Sequence, residues 1–266
     1  MSSERTLDSN TNTPTDQLES GYDVLAKRSD NIDRHASPWG DSHFQQCYSW
    51  PTTRPVLPRL TDNRVLLAGC GRGDHVPWFS DHGASVVGVD ISEAAIREAR
   101  QQFGDVATFH SADLTRSLDF ADADSFDLVF SNLVMSHIEE WQPVFEEFHR
   151  VLVPQGDLVV ATIHPRYIRS GADIESYYTL TQVMNDWPEI ELPTFYRPMN
   201  AVITSFVDAG FRLRTFEEPE PPDAYEEYYP ERYRKALNEP EILVVRAQAD
   251  REAPSSVPSD QASRGG

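Results

Sequence analysis

The sequence predicts an α/β fold, a doubly wound parallel sheet with helices on both faces, and three observations carry that prediction. Short apolar runs alternate with amphipathic helical stretches from residue 64 to residue 163. The first run, Val65 to Ala68, enters a turn with glycine at 69, 71 and 73. The second, Val86 to Val89, ends on Asp90.

In chain order the expected elements are strand 64–68, helix 75–82, strand 85–89, helix 92–103, strand 107–111, strand 126–131, helix 142–152 and strand 157–163. Ser92 is suited to cap the helix behind Asp90, and Ala95, Ile96 and Ala99 give that helix a buried stripe. Pro143 fits a first helical turn. Val144, Phe148, Val151 and Leu152 then repeat at helical spacing before Pro154 and Gly156. These apolar residues are core. Beyond His164 the character changes, with Tyr167, Tyr177, Tyr178, Trp187, Phe195 and Tyr196 crowded together. Residues 165–198 therefore read as an aromatic-rich cap insertion over the carboxyl edge of the sheet, where open α/β folds bind ligands. A helix near 199–209, a run FRLRTF at 211–216 and a final strand EILVVRA at 241–247 follow, the last two suited to pair as an antiparallel edge. Residues 1–18 and 250–266 are rich in Ser, Thr, Asp, Pro and Gly and are expected to be disordered tails. One domain over 19–249 remains, with 19–60 as an N-terminal helical cap. No internal repeat is evident.

A chain of 266 residues has room for one large α/β domain and a full core. Its 23 Lys+Arg against 43 Asp+Glu give a net charge of −20, and Lys27 and Lys235 are its two lysines. That balance disfavours nucleic-acid and anionic-membrane partners and fits an acidic, salt-adapted surface. Two cysteines, Cys47 and Cys70, do not make a disulfide framework, and bridging Cys70 would distort the glycine turn. A reducing cytoplasmic setting is expected. The N-terminus lacks the apolar core of a signal peptide, and no run approaches the ~18 apolar residues of a membrane span.

Glycine is required at the turn because a side chain would block φ > 0 and hold a bound nucleoside away from the main chain. An acid at the tip of the next strand can accept hydrogen bonds from two ribose hydroxyls. The spacing bears on which nucleoside. A dinucleotide fingerprint has its third glycine three positions after the second, whereas Gly73 comes two after Gly71, and Asp74 would repel a phosphate. The turn suits S-adenosylmethionine, whose charged groups are an amino acid and a sulfonium. A nicotinamide-dependent oxidoreductase is the other enzyme class such a turn leaves open.

Five segments in order resemble the class I S-adenosylmethionine-dependent methyltransferases, specifically the methyltransferase type 11 group that acts on small molecules. They are VLLAGCGRG at 65–73, VVGVDIS at 86–92, ADL at 112–114, FDLVFSNLVMSHIEE at 126–140 and HRVLVPQG at 149–156. IHP at 163–165, FYRPMNAVITSFVDAGF at 195–211 and EEPEP at 217–221 extend the similarity over roughly residues 40–247. The resemblance implies a Rossmann-like, seven-stranded, mostly parallel sheet whose last strand is antiparallel. It also implies roles. The main chain at Ala68, Gly69, Gly71 and Gly73 would approach the methionine part of the cofactor, and Asp90 would hold the ribose. Ile91 would pack on adenine, Asp113 would accept from its exocyclic amine, and Leu114 would add backbone and apolar contact. Ser131 and Asn132 would end the fourth strand beside the sulfonium.

Leu67 departs from the resemblance, because the family carries an acid there that helps organise the cofactor's amino group. Asp74 is placed either to compensate from the turn or to cap the following helix. The departure leaves open a regulatory member that binds cofactor without transferring methyl.

Methyl transfer to a small-molecule acceptor is an in-line displacement, in which positioning and water exclusion do most of the work. Tyr48, Tyr167 and Tyr196 are the expected pocket aromatics, since π faces tolerate a sulfonium. His137 and His164, at the ends of the fourth and fifth strands, are the expected base candidates. The eight histidines show no compact metal-ligand spacing, so no metal is expected.

Overall fold

Period-two alternation sorts the central strands onto two cores, and the computed structural model, which describes residues 13–28, 31–187 and 190–251, shows both. In β1 (Arg64–Ala68), Val65 and Leu67 face one core with Phe79, Ile96 and Phe109, while Leu66 and Ala68 face the other with Val144, Phe148 and Phe206. A strand apolar on both sides has to be covered on both sides.

In chain order the elements are α1 (Pro14–Lys27), α2 (Trp50–Thr53), β1, α3 (Val76–Asp81), β2 (Ser85–Asp90), α4 (Glu93–Phe103), β3 (Ala107–Ser111) and β4 (Phe126–Asn132). Then come α5 (Trp141–Val151), β5 (Leu152–Ile163), α6 (Pro165–Ser170), β6 (Thr181–Trp187), β7 (Ile190–Tyr196), α7 (Met199–Asp208), β8 (Phe211–Glu217), α8 (Ala224–Tyr228), α9 (Pro230–Ala236) and β9 (Ile242–Ala249). The seven-stranded sheet has the order β3-β2-β1-β4-β5-β9-β8. β1 pairs in parallel with both β2 and β4, so the strand order reverses there and a crevice opens at the carboxyl ends. β9, the last strand, runs antiparallel to β5 and to β8. α3 and α4 cover one face, α5 and α7 the other.

Several boundaries differ from expectation. α1 takes in residues 14–18 of the expected N-terminal tail. Thr13 and Asp16 form a capping box around Pro14 at the first turn, and Leu18, Leu25 and Ala26 are buried against Ala94, Ala95 and Leu192. The burial that repays ordering lies across the fold, out of reach of local composition. Residues 1–12 and 252–266, the rest of the expected tails, lie outside the described residues. Asp250 and Arg251 still bond the fold, through Gly210 O and through Asp124 and His149 O. β5 starts at Leu152 rather than 157, because Val151 passes straight from α5 into the sheet. Within 165–198 the chain forms α6 and a two-stranded β6–β7 hairpin.

Candidate functional site

The glycine turn is held by the two strands it joins. Gly69 N and Cys70 N both donate to Val89 O at 2.8 and 2.9 Å, and Gly71 N donates to Asp90 Oδ2 at 2.8 Å. A Cβ on Gly69, where φ is +77°, would lie 2.1 Å from Val134 Cγ2, so this position accepts no side chain. Asp90 also accepts from Ser92 N at 2.9 Å. Burial pushes the Asp90 carboxyl up, opposed by these amides. Each of its oxygens spends one lone-pair direction on the protein and keeps capacity for a ligand.

A cavity of about 300 Å³ opens over the ends of β1, β2 and β4. Seven of the ten residues expected to hold cofactor border it: Gly69, Gly71, Asp90, Ile91, Asp113, Leu114 and Asn132. Three do not. Ala68 and Ser131 are buried, and Gly73 (φ +86°) is packed so closely against α4 that a Cβ there would meet Phe103 Cδ2 at 2.8 Å. Gly73 is thus a close-packing position. Asp113 Oδ1 accepts from Thr115 N and Thr115 Oγ1, so part of its capacity closes its own turn.

Of the base candidates, the cavity takes His137 and leaves out His164. The His164 side chain caps α6, accepting from Arg166 N at Nδ1, and its Nε2 meets Glu218 Oε1 at 2.8 Å. At 4 % exposure it borders no part of the cavity. His137 does border it, 2.8 Å from Pro193 O at Nδ1 and 3.1 Å from the Tyr22 hydroxyl at Nε2. A carbonyl can only accept, so Nδ1 carries the hydrogen and Nε2 presents its lone pair to Tyr22, which donates. Burial holds the His137 pKa below the usual histidine range, partly offset by the bond to Pro193. Burial, and then Asp90, push the Tyr22 hydroxyl well up.

None of the three expected tyrosines lines the cavity. Tyr48 is fully buried and donates to Pro219 O at 2.8 Å. Tyr196 donates to Tyr177 O. Tyr167 lies beneath the guanidinium of Arg232. In their place Leu18 and Tyr22 of α1, Trp39, Gln45 and Phe195 complete the walls. Asp23 fastens this cover to the sheet, its Oδ1 accepting from Ser92 Oγ at 2.7 Å and Ala94 N at 3.0 Å at the start of α4. Asn132 is fixed by Gln45 and Ser49, at 3.0 and 3.1 Å. Leu133, which follows, has φ of +61°, an unfavourable backbone for a branched residue that the surroundings impose. Arg197, a further residue the sequence did not single out, lies over the Trp141 ring and donates to Ile138 O and Glu139 O, holding that rim. Burial lowers its pKa to about 9.

Leu67, the departure from the family pattern, is 2 % exposed in the core and does not reach the cavity, whereas Asp74 borders it. Asp74 is not a helix cap: the N-cap of α3 is His75, with no side-chain capping bond.

Gly-rich turn, strand-end acid and order-reversing sheet place a ligand crevice where doubly wound α/β enzymes carry theirs. The methyltransferase domain family matches residues 66–160. The chain is similar to an S-adenosylmethionine-dependent methyltransferase from Mesorhizobium loti, with 30% identity, coverage of 75% of this chain and 97% of that one, and a TM-score of 0.66. It is also 37% identical over 107 residues to the malonyl-[acyl-carrier protein] O-methyltransferase of Enterobacter lignolyticus. That match covers 40% of this chain and 41% of the relative, so this chain spans about two fifths of that protein's length. A ubiquinone biosynthesis O-methyltransferase from Hahella chejuensis is 33% identical over 107 residues, 40% of this chain and 45% of its own. The chain belongs to the S-adenosylmethionine-dependent methyltransferases, and S-adenosylmethionine is its cofactor. Among the described residues no helix is long and apolar enough to cross a membrane.

Proposed function

We propose that this enzyme methylates a small molecule within the cavity described above, and that His137, with Tyr22, handles the proton the acceptor gives up. One observation carries the reading: a single cavity joins a floor fit for an adenosyl group to a neutral histidine whose Nε2 lone pair is directed at a cavity-lining hydroxyl. The residues fit the cofactor. A Cβ on Gly71, where φ is +54°, would come 3.0 Å from Trp39 Cζ3 and crowd the floor. Asp90 holds ribose hydroxyls, Ile91 and Leu114 offer apolar surface to adenine, and the main chain at Gly69 and Gly71 meets the methionine part.

S-adenosylmethionine supplies an electrophilic methyl on a sulfonium. The protein's part is to hold the acceptor in line and keep water out, and positioning of this kind lowers barriers by ~7–11 kcal/mol. Val134, Ile138 and Phe195 border the cavity with apolar surface near His137. If the acceptor group is a hydroxyl, as the names of the curated O-methyltransferases suggest by likeness, its proton leaves as the new O–C bond forms. Tyr22 is in reach to accept it while passing its own hydrogen to His137 Nε2, and Pro193 O steadies the charged ring. The cavity's charge bears on acceptor class: Asp74, Asp90, Asp113, Glu139 and Glu140 line it, and among the described residues no Lys or Arg does. A polyanion such as nucleic acid is poorly matched to such a lining.

The test is a metabolite extract incubated with methyl-labelled S-adenosylmethionine and either native protein or the Asp90→Ala variant. A labelled product with native protein, reduced about 100-fold with the variant, supports the reading. Equal labelling by both, or no calorimetric binding at about 1 mM cofactor, defeats it.

A further inference from the structure

The run FYRPMNAVITSFVDAGF at 195–211 begins with Phe195, which borders the cavity, and its third residue is Arg197. Arg197 directly follows β7 and is 5% exposed, with its guanidinium 4.0 Å from the centroid of the Trp141 ring. Burying a guanidinium costs stability unless its donors are met, and an apolar side chain would fill the same space at less cost. The donors found for it converge on one stretch of main chain: Nη2 meets Ile138 O and, at 3.4 Å, Glu139 O.

Those carbonyls belong to the segment that carries His137. Between the end of β4 and the start of α5 the chain forms a single 3-10 turn, Met135–His137, so this segment has no long helix or strand ladder to fix its shape. It is held from outside instead. Trp141 Nε1 donates to Met135 O at 2.7 Å ahead of His137, and Arg197 takes the carbonyls just behind it. The two holds are joined, because the guanidinium lies over the same indole ring whose N–H bonds Met135. The imidazole itself donates from Nδ1 to Pro193 O at 2.8 Å, and Pro193 lies within β7, four residues before Arg197. One end of β7 thus supplies an acceptor wall, Phe195, the carbonyl that fixes the His137 ring, and the cation that ties the strand to the turn bearing that ring. Were β7 free to slide past the turn, Pro193 O would leave Nδ1, and the ring would be free to exchange tautomers.

We propose that Arg197 is a positioning residue for His137: it locks β7 against the Ile138–Glu139 main chain, so that Pro193 O keeps the imidazole in its Nδ1–H form and Nε2 stays open toward Tyr22. This rests on the proton-handling reading above. Arg197 does not border the cavity, so its effect reaches the reaction only through the ring it aims.

Arg197→Met keeps an apolar stem over Trp141 and removes the donors. Nitrogen NMR of the His137 ring is expected to show one tautomer, Nδ1–H, in the native protein and a mixture in the variant. Labelling of a metabolite extract at saturating methyl-labelled S-adenosylmethionine should fall about tenfold. The Kd for S-adenosylhomocysteine should stay within about twofold of native, showing that the floor is intact. Arg197→Lys, which keeps a cationic donor, should recover labelling to within about threefold of native. In a His137→Gln background Arg197→Met should cost nothing further, since no imidazole is left to position. The proposal is overturned if Arg197→Met keeps the single tautomer, labels as fast as native protein, or loses rate in the His137→Gln background as well, or if Arg197→Lys recovers nothing. Arg197→Gln carries the same comparisons if Arg197→Met does not fold. Should His137→Gln itself label at the native rate, the proton-handling reading fails, a result distinct from the ring spectrum that decides the role of Arg197.

Discussion

The floor of the cavity and its roof are built by different means. The floor comes from the ends of β1 to β4, where each ligand-facing residue directly follows the strand that places it: Gly69 and Gly71 after β1, Asp90 at the end of β2, Asp113 after β3, Asn132 at the end of β4. The roof is assembled from remote pieces. Tyr22 meets His137 across 115 residues, Ser49 meets Asn132 across 83, and Asp23 meets Ser92 across 69. A floor set by parallel strand ends is read locally; the roof depends on long-range polar contacts and on the packing of α1 against α4 and β7. Substitutions in the two regions should therefore differ in kind as well as in size.

The largest effect is expected in the floor. Asp90→Ala removes the ribose acceptor and also frees Gly71 N and Ser92 N, so cofactor affinity falls by about 3 kcal/mol, on the order of 100-fold or more. Calorimetry measures it. A loss below about fivefold would mean that the strand-end acid is not the anchor and that the floor is no more decisive than the roof.

Next comes the seam between the two regions. His75 borders the cavity, with Trp50 and Phe130 rings 4.7 and 5.7 Å from its own, and burial lowers its pKa from 6.5 to about 4. Its folded pKa is depressed, so the unfolded chain takes up the proton first as pH falls. Stability is complete above about pH 6.5 and is lost progressively down to about pH 4, by about 2–3 kcal/mol from this group. His137, shifted the same way, adds to the slope. Denaturant midpoints measured across that window should fall steeply for the native protein and less steeply for His75→Phe. Equal slopes would remove His75 from the account.

A third test separates packing from binding within the floor. Gly73→Ala places a Cβ against Phe103 at a φ of +86° and should cost about 2 kcal/mol of stability. Because Gly73 faces α4 and not the cavity, the Kd for S-adenosylhomocysteine should stay within about twofold of native. A large loss of affinity without a loss of stability would return Gly73 to the ligand-contacting set.

The same contrast explains what was legible in the sequence. Strand runs, the glycine turn, Ser92 as a cap and the acid at 90 are local patterns, and the seven cavity residues they identified are all close to strand ends. Gly73 packs against α4, and spacing alone does not distinguish a glycine that admits a ligand from one that admits a helix. The tyrosines lie away from the cavity for a related reason: an aromatic-rich segment advertises burial, but the partner chosen, Pro219 O for Tyr48 or Arg232 for Tyr167, is set by the folded chain. His164 carried the pattern of a strand-end base, yet the Pro165 that follows starts a helix, and the imidazole caps it. Tyr22, Trp39 and Gln45 gave no sequence signal beyond their place in the cap segment. A capping box at Thr13 and Asp16 before the apolar Leu18, Leu25 and Ala26 was the available clue that α1 existed.

The smallest expected effect lies in the roof, and it is the most informative about chemistry. Tyr22→Phe keeps the ring that packs edge-on to His137 and Trp39 and deletes the hydroxyl whose hydrogen Nε2 accepts. Stability should change by about 1 kcal/mol or less, since one neutral hydrogen bond is lost and Nε2 still faces the cavity. Cofactor affinity should move by less than about threefold, because the ribose and adenine contacts belong to the floor. His137 should respond more clearly. Without a hydroxyl donating to Nε2 its lone pair is free to take a proton, so the imidazole pKa should rise toward the ordinary histidine value, readable by nitrogen NMR of the ring. Nδ1 should remain protonated, held by Pro193 O. If the ring instead changes tautomer, or its pKa falls further, the hydroxyl was not the group setting its state, and the proton-handling role assigned to the pair would pass to His137 alone.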